Sequence, residues 1–150
     1  MGARFQPVDA QEVALYAMHR QGYANLCRLI TTGRRRAPKG ECRIAFDDIA
    51  GHHDGLLAIA LPPAPHSPAW RNLEPVSYGR YRELFGDRVS MAVMRHLTDD
   101  DRYWLERQLS LAAAAGLPVV AVNDVHYHVA ERQPLHDVLT CIREGCTIRE

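Results

Sequence analysis

The sequence predicts an α/β fold in which parallel strands alternate with crossover helices, as an open sheet or as part of a barrel. Three observations carry this. Short runs rich in apolar and β-branched residues recur at 55–61, 88–94 and 119–122, as strands of a buried sheet do. Stretches of helical apolar spacing stand between and after them. Gly and Pro punctuate the joints, most clearly at Gly116 with Pro118 and at Gly145, where helices end.

In chain order, residues 2–5 suit the end of a strand. Asp9 followed by Glu12 has the form of a capping box and predicts a helix over 10–20. Beyond Gly22, Tyr23, Leu26, Cys27 and Ile30 recur at helical spacing until Gly33, so the two stretches form a helix pair with an apolar stripe for core packing. Residues 34–39, Arg-Arg-Arg-Ala-Pro-Lys, fall in a loop and make the one strongly basic patch, so Arg34, Arg35, Arg36 and Lys39 are candidates to meet a phosphate backbone. Over 42–49, Ile44 and Phe46 alternate, and Asp47 with Asp48 caps a short helical turn.

The strand at 55–61 closes on Pro62 and Pro63. Five prolines between 62 and 75 mark a surface excursion without regular structure, with His66 exposed. Residues 78–85 read as a short helix ended by Gly86, and 88–94 as a strand. Thr98 opens the clearest helix. Thr98 and Asp101 form a capping box, acids sit at the positive end of the dipole, and Leu105, Leu109 and Ala112 line one face. A buried strand at 119–122 follows. Pro134 then suits the first turn of a helix carrying Leu135, Val138, Leu139 and Ile142, with His136 and Asp137 in capping or surface roles.

Length and 47% hydrophobic content allow one domain with an ordinary core. Eighteen basic residues against eighteen acidic ones exclude a general electrostatic affinity for nucleic acid or membrane, so any such contact must be local. No apolar run reaches membrane-spanning length and no signal peptide pattern opens the chain, which makes the cytoplasm the expected location. The cysteines at 27, 42, 141 and 146 have no Cys-x-x-Cys spacing, so reduced and mostly buried thiols are expected.

The chemistry-bearing stretch is 117–128. Its apolar half becomes polar where the strand ends, and Asp124 and His126, two residues apart, point to the same side of an extended backbone. Carboxyl ends of strands are where such folds place their chemistry. The pair is half of a metal site, or else a hydrogen-bonded loop corner.

Residues 116–128 (Gly-Leu-Pro-Val-Val-Ala-Val-Asn-Asp-Val-His-Tyr-His) and 135–145 (Leu-His-Asp-Val-Leu-Thr-Cys-Ile-Arg-Glu-Gly) resemble the end of the polymerase-and-histidinol-phosphatase (PHP) domain of bacterial C-family DNA polymerases, the alpha subunits of DNA polymerase III. Residues 22–42 (Gly-Tyr-Ala-Asn-Leu-Cys-Arg-Leu-Ile-Thr-Thr-Gly-Arg-Arg-Arg-Ala-Pro-Lys-Gly-Glu-Cys) and 84–88 (Leu-Phe-Gly-Asp-Arg) are similar to the error-prone, damage-tolerant branch in particular. The resemblance runs in consistent order from end to end. It implies part of a distorted seven-stranded βα barrel whose strand ends gather His, Asp, Glu and Cys around two or three divalent metals, a site that supports phosphoesterase or exonuclease chemistry in some members and is degenerate in others.

Carried over by position, Asp124 and His126 match the late Asp-x-His ligand pair, with zinc or manganese as the fitting ion. Three departures accompany the match. The opening His-x-His motif falls upstream of Met1. Arg4 stands where the family often has an acid, and a guanidinium repels a cation. No cysteine stands near the end of the strand at 55–61. The polymerase palm with its catalytic aspartates falls beyond Glu150, so residues 1–150 correspond to the C-terminal portion of a PHP domain.

The resemblance thus implies a piece of a DNA-directed DNA polymerase engaged in damage-tolerant synthesis and repair. Its partners would be DNA, reached through the parent, and the remaining polymerase domains, with self-association possible through uncovered sheet edges. A stand-alone metal-dependent phosphoesterase and an inactive remnant are the alternatives.

Overall fold

The computed structural model describes residues 1–95, 98–123 and 125–149. Among these residues five strands form one sheet, in the order in which they occur along the chain. They are β1 (Gly2–Phe5), β2 (Val13–Ala17), β3 (Leu56–Ala60), β4 (Val89–Val93) and β5 (Val119–Ala121). The helices are α1 (Arg20–Arg35), α2 (Phe46–Ala50), α3 (Val76–Phe85), α4 (Asp101–Ala114) and α5 (Gln133–Glu144). None of them is long and apolar enough to cross a membrane.

As expected, β3, β4 and β5 are parallel, with α3 and α4 as their connections. The expected helix over 10–20 is corrected. Val13 and Leu15 are fully buried while Tyr16 is exposed, a period of two. The segment is therefore a strand, pairing antiparallel with both β1 and β3. Sheet pairing across 56–60 outweighed a local helical spacing that Val13, Tyr16 and Ala17 also satisfy. The result is a mixed sheet with β1 and β5 at its edges.

Register divides the sheet into two unlike faces. Phe5, Val13, Ala60 and Met91 lie on one rung and Ala3, Leu15, Ala58 and Val89 on the next of the same face. This face carries the core, in which Leu26 and Leu29 of α1, Ile49 of α2, Tyr78, Tyr81 and Phe85 of α3, and Trp104, Leu111 and Ala112 of α4 join it. Each fully buried large aliphatic or phenylalanine side chain among them contributes roughly 1.5–3 kcal/mol by leaving water. On the opposite face Arg4, Ala14, Ile59 and Ser90 share a rung, flanked by Tyr16 and Leu57, and Tyr16 and Leu57 are exposed.

Other joints also differ from expectation. Gly33 lies inside α1, buried, because a Cβ there would stand 2.5 Å from both Cys42 and Ile44 side chains. Asp9 caps no helix of its own; its Oδ1 accepts the Phe46 N–H of distant α2 at 2.8 Å. The first turn of α4 begins at N-cap Asp100, whose carboxylate receives the Thr98 hydroxyl and the Trp104 indole, while buried Asp101 pairs with Arg95 at 3.0 Å. The inward stripe of α4 is correspondingly Trp104, Gln108, Leu111 and Ala112, with Leu109 outside.

The proline-rich excursion holds a short 3₁₀ turn, Pro68–Asn72, that buries Trp70 against Trp104 at 5.6 Å between ring centroids. Exposed His66 pairs with Asp100 and packs on Trp104. Gly116 and Gly145 have the left-handed φ expected of helix termini. The strand at β5 is not buried on both faces as expected: Val119 and Ala121 are exposed. None of the helical residues of α5 is buried either, and Leu135, Leu139 and Ile142 form an apolar stripe open to solvent.

Among the glycines the tightest position is where α1 meets the turn before β3, since a Cβ on Gly22 would lie 1.9 Å from the Gly55 carbonyl oxygen. Gly22→Ala should therefore lower the urea midpoint by the equivalent of about 2–3 kcal/mol, as overpacking against backbone does. Gly79→Ala, at a helical position with nothing within 4 Å of the new atom, should be neutral or stabilising by about 0.5–1 kcal/mol. Equal effects of the two substitutions would contradict this packing.

Candidate functional site

The uncovered face of the sheet forms a cleft of about 400 Å³. Its floor is Ala14, Ile59 and Leu61, and its end is closed by Met94, Val122 and Asn123, which follow β4 and β5. The cleft thus opens at the carboxyl ends of the three parallel strands, where open sheets bind ligands. Across it, the Arg4 guanidinium donates Nε–H and Nη2–H to the two carboxylate oxygens of Glu12, the second at 3.0 Å. Arg4 is on β1 and Glu12 just before β2. The β1–β2 pairing brings them together.

The strands are fixed from the other side. Tyr78 donates its hydroxyl to the Leu61 carbonyl at 3.1 Å and Tyr81 donates to that of Gln11. Burial pushes both phenols well above the ordinary tyrosine range. Gln108, nearly inaccessible, accepts the Met94 N–H at 2.9 Å and donates to the Met94 carbonyl at 3.3 Å. These bonds satisfy backbone groups where strand pairing stops.

Of the expected ligand pair, Asp124 lies outside the described residues. His126 is exposed, beyond β5, and its ring stands 4.7 Å from that of His136 at the start of α5. His136 also faces Tyr127 and pairs with its neighbour Asp137 at 3.6 Å. Sequence spacing gives His136 a capping or surface role; its approach to His126 depends on how α5 returns to the loop after β5, which spacing does not encode. Among the described residues no group of three or more His, Cys, Asp or Glu is placed to hold a metal ion.

The basic patch is split, and only partly a loop. Arg34 and Arg35 form the last turn of α1, where cations complement the helix dipole. Lys39 is exposed on a turn completed by Gly40. Arg36 is engaged: its guanidinium meets the Asp48 carboxylate at 2.6 Å, and the same carboxylate accepts the Ala45 N–H at 2.9 Å. The Ala45 N–H first, and then Arg36, hold the Asp48 carboxyl below its usual range against the opposing effect of burial. The thiols are likewise more accessible than expected, with Cys27 and Cys141 half-buried and Cys42 and Cys146 exposed.

Comparison with known proteins gives a consistent answer. The whole chain aligns with bacterial error-prone DNA polymerases. It is 37% identical over 150 residues to error-prone DNA polymerase 1 of Agrobacterium fabrum, covering all of this chain and 13% of that protein. Over 151 residues it is 39% identical to the error-prone DNA polymerase of Pseudomonas fluorescens, again covering all of this chain and 14% of the relative. With the Azoarcus sp. enzyme of the same name the identity is 40% over 154 residues, covering 99% of this chain and 14% of the relative. The chain therefore matches a limited region of much longer polymerases. No protein-family model matches it.

Because Asp48 has a lowered carboxyl in the folded state, its contribution is complete above the unfolded carboxylate range and is lost as pH falls through the lowered value. Asp48→Asn should cost about 1 kcal/mol at neutral pH, as loss of a helix-start carboxylate does. The gap from wild type should close on acidification. A pH-independent gap in urea denaturation would count against this assignment.

Proposed function

We propose that this chain is the PHP-like portion of an error-prone DNA polymerase and serves it as a structural unit, not as a metal-dependent phosphoesterase. Nucleotide transfer during damage-tolerant synthesis would belong to the parent protein. The end-to-end identity with error-prone polymerases supports the parentage. The Arg4–Glu12 pair carries the structural part of the reading. It places a guanidinium at the mouth of the strand ends and engages both oxygens of the Glu12 carboxylate, the opposite of what a cation requires.

A specific observation favours a second reading, in which one zinc or manganese ion is retained. The approach of His126 to His136 brings two imidazoles together, and mixed imidazole and carboxylate donors suit such ions. Calorimetry with zinc on wild type, on the double variant Asp124→Ala/His126→Ala and on His136→Ala separates the two. The structural reading expects identical uptake by all three. Loss of a stoichiometric site in the variants, together with zinc-dependent hydrolysis of an aryl phosphate by wild type, would replace it with the second.

Contact with DNA would fall to Arg34, Arg35 and Lys39, which stand exposed and close in sequence, whereas Arg36 is committed to Asp48. Measured as a log–log salt titration of duplex binding, the Arg34→Ala/Arg35→Ala/Lys39→Ala variant should bind more weakly and with a slope shallower by about one per residue removed. An unchanged slope would relieve these residues of the role.

A further inference from the structure

The strongest unassigned cluster of reactive groups is at the end of α5. Gly145 takes the left-handed conformation, φ 70 and ψ 28, and donates its N–H back to the Cys141 carbonyl. The next residue, Cys146, donates to that same carbonyl at 3.1 Å. This six-to-one closure is the Schellman arrangement, in which the side chains at its two ends meet. Here both ends are cysteines. One hydrogen bond joins their backbones directly, and a disulfide requires α-carbons no more than about 7 Å apart. The thiols differ in access, Cys146 being exposed and Cys141 half-buried.

We propose that Cys141 and Cys146 form a reversible dithiol–disulfide couple, a modification site that reacts with hydrogen peroxide and with no other thiol of the chain. The exposed Cys146 thiolate attacks a peroxide oxygen; the O–O bond breaks, one oxygen leaves as water after taking a proton, and Cys146 becomes a sulfenic acid. The sulfur of Cys141 then attacks that of Cys146. The S–O bond breaks, the hydroxide takes up the Cys141 proton and leaves as a second water, and the S–S bond closes. Two thiols lose two electrons and two protons, and the peroxide is reduced to two waters.

The order of the steps follows from the surroundings. The exposed Cys146 meets the peroxide first and the half-buried Cys141 resolves it; burial first, then the hydrogen bond shared with Cys146 and the charge of Asp137, hold the Cys141 thiol above its usual range. Oxidation would lock the left-handed turn and fix the direction in which the chain leaves α5.

The test uses the whole chain in its folded state, with hydrogen peroxide as the probe. After oxidation, alkylation of free thiols and tryptic digestion, cleavage after Arg132, Arg143 and Arg149 should leave peptides 133–143 and 144–149 joined, about 2 Da lighter than their sum and separated by dithiothreitol. Cys27 and Cys42 should remain alkylated. Cys141→Ser should trap a sulfenic acid on Cys146 that a dimedone probe labels, and Cys146→Ser should abolish the linked species. Joining of Cys27 to Cys42, disulfide-linked dimers as the main product, or oxidation of Cys146 to the sulfinic acid without linkage would overturn the proposal. So would dimedone labelling of Cys141 in the Cys146→Ser variant at the rate seen for Cys146.

Discussion

The constraint on which the structure depends is the two-sidedness of the sheet, set by alternation along β1 to β3. Val13 and Leu15 turn one way while Ala14 and Tyr16 turn the other, and β3 repeats this with Leu56, Ala58 and Ala60 against Leu57 and Ile59. A one-residue slip would exchange the faces completely. The buried apolar side chains of α1, α2, α3 and α4 are committed to the first face. The second is thereby left open along the carboxyl ends of the parallel strands. The cleft exists because the core is one-sided.

That frame is reinforced by polar links between residues far apart in sequence. Asp9 caps α2, Arg80 donates to the Asp9 carbonyl at 3.2 Å, Arg88 donates to the Leu56 carbonyl at 2.6 Å, and Gln108 binds both backbone groups of Met94. Each satisfies a backbone group where regular hydrogen bonding stops, and an unmet buried group costs more than a bond gains. They join the connection after β1, the start of β3 and the exit of β4 to the helices behind. Of these joints, the one at Met94 stands at the end of the cleft.

The parallel strands, α3, α4, α5 and the left-handed glycines were legible because their signals are local: short apolar runs, helical spacing, and Gly or Pro at the ends. The strand β2 was not, since five residues satisfy both periods and the decision rests on a partner forty residues away. The Arg4–Glu12 pair depends on that same pairing and was hidden with it. Trp70 looked like a loop residue because its burial requires α4, and the His126–His136 approach requires the return of α5. The end of β5 was legible as a strand end, and the cleft closes there on Val122 and Asn123. The electrostatic character of the cleft was not, because it is set by β1 and β2.

The aromatic corner has a practical consequence for watching this protein fold. Both tryptophans of the chain, Trp70 and Trp104, lie in one cluster, each beneath the guanidinium of Arg107 at 5.1 and 6.0 Å from the ring centroids. Intrinsic fluorescence is therefore a reporter of a single event, the docking of the proline-rich excursion onto α4. The sheet, α1 and α5 contribute no tryptophan to that signal. Emission and far-ultraviolet circular dichroism accordingly monitor different parts of the molecule, and superposition of the two unfolding curves would measure how tightly this corner is coupled to the sheet.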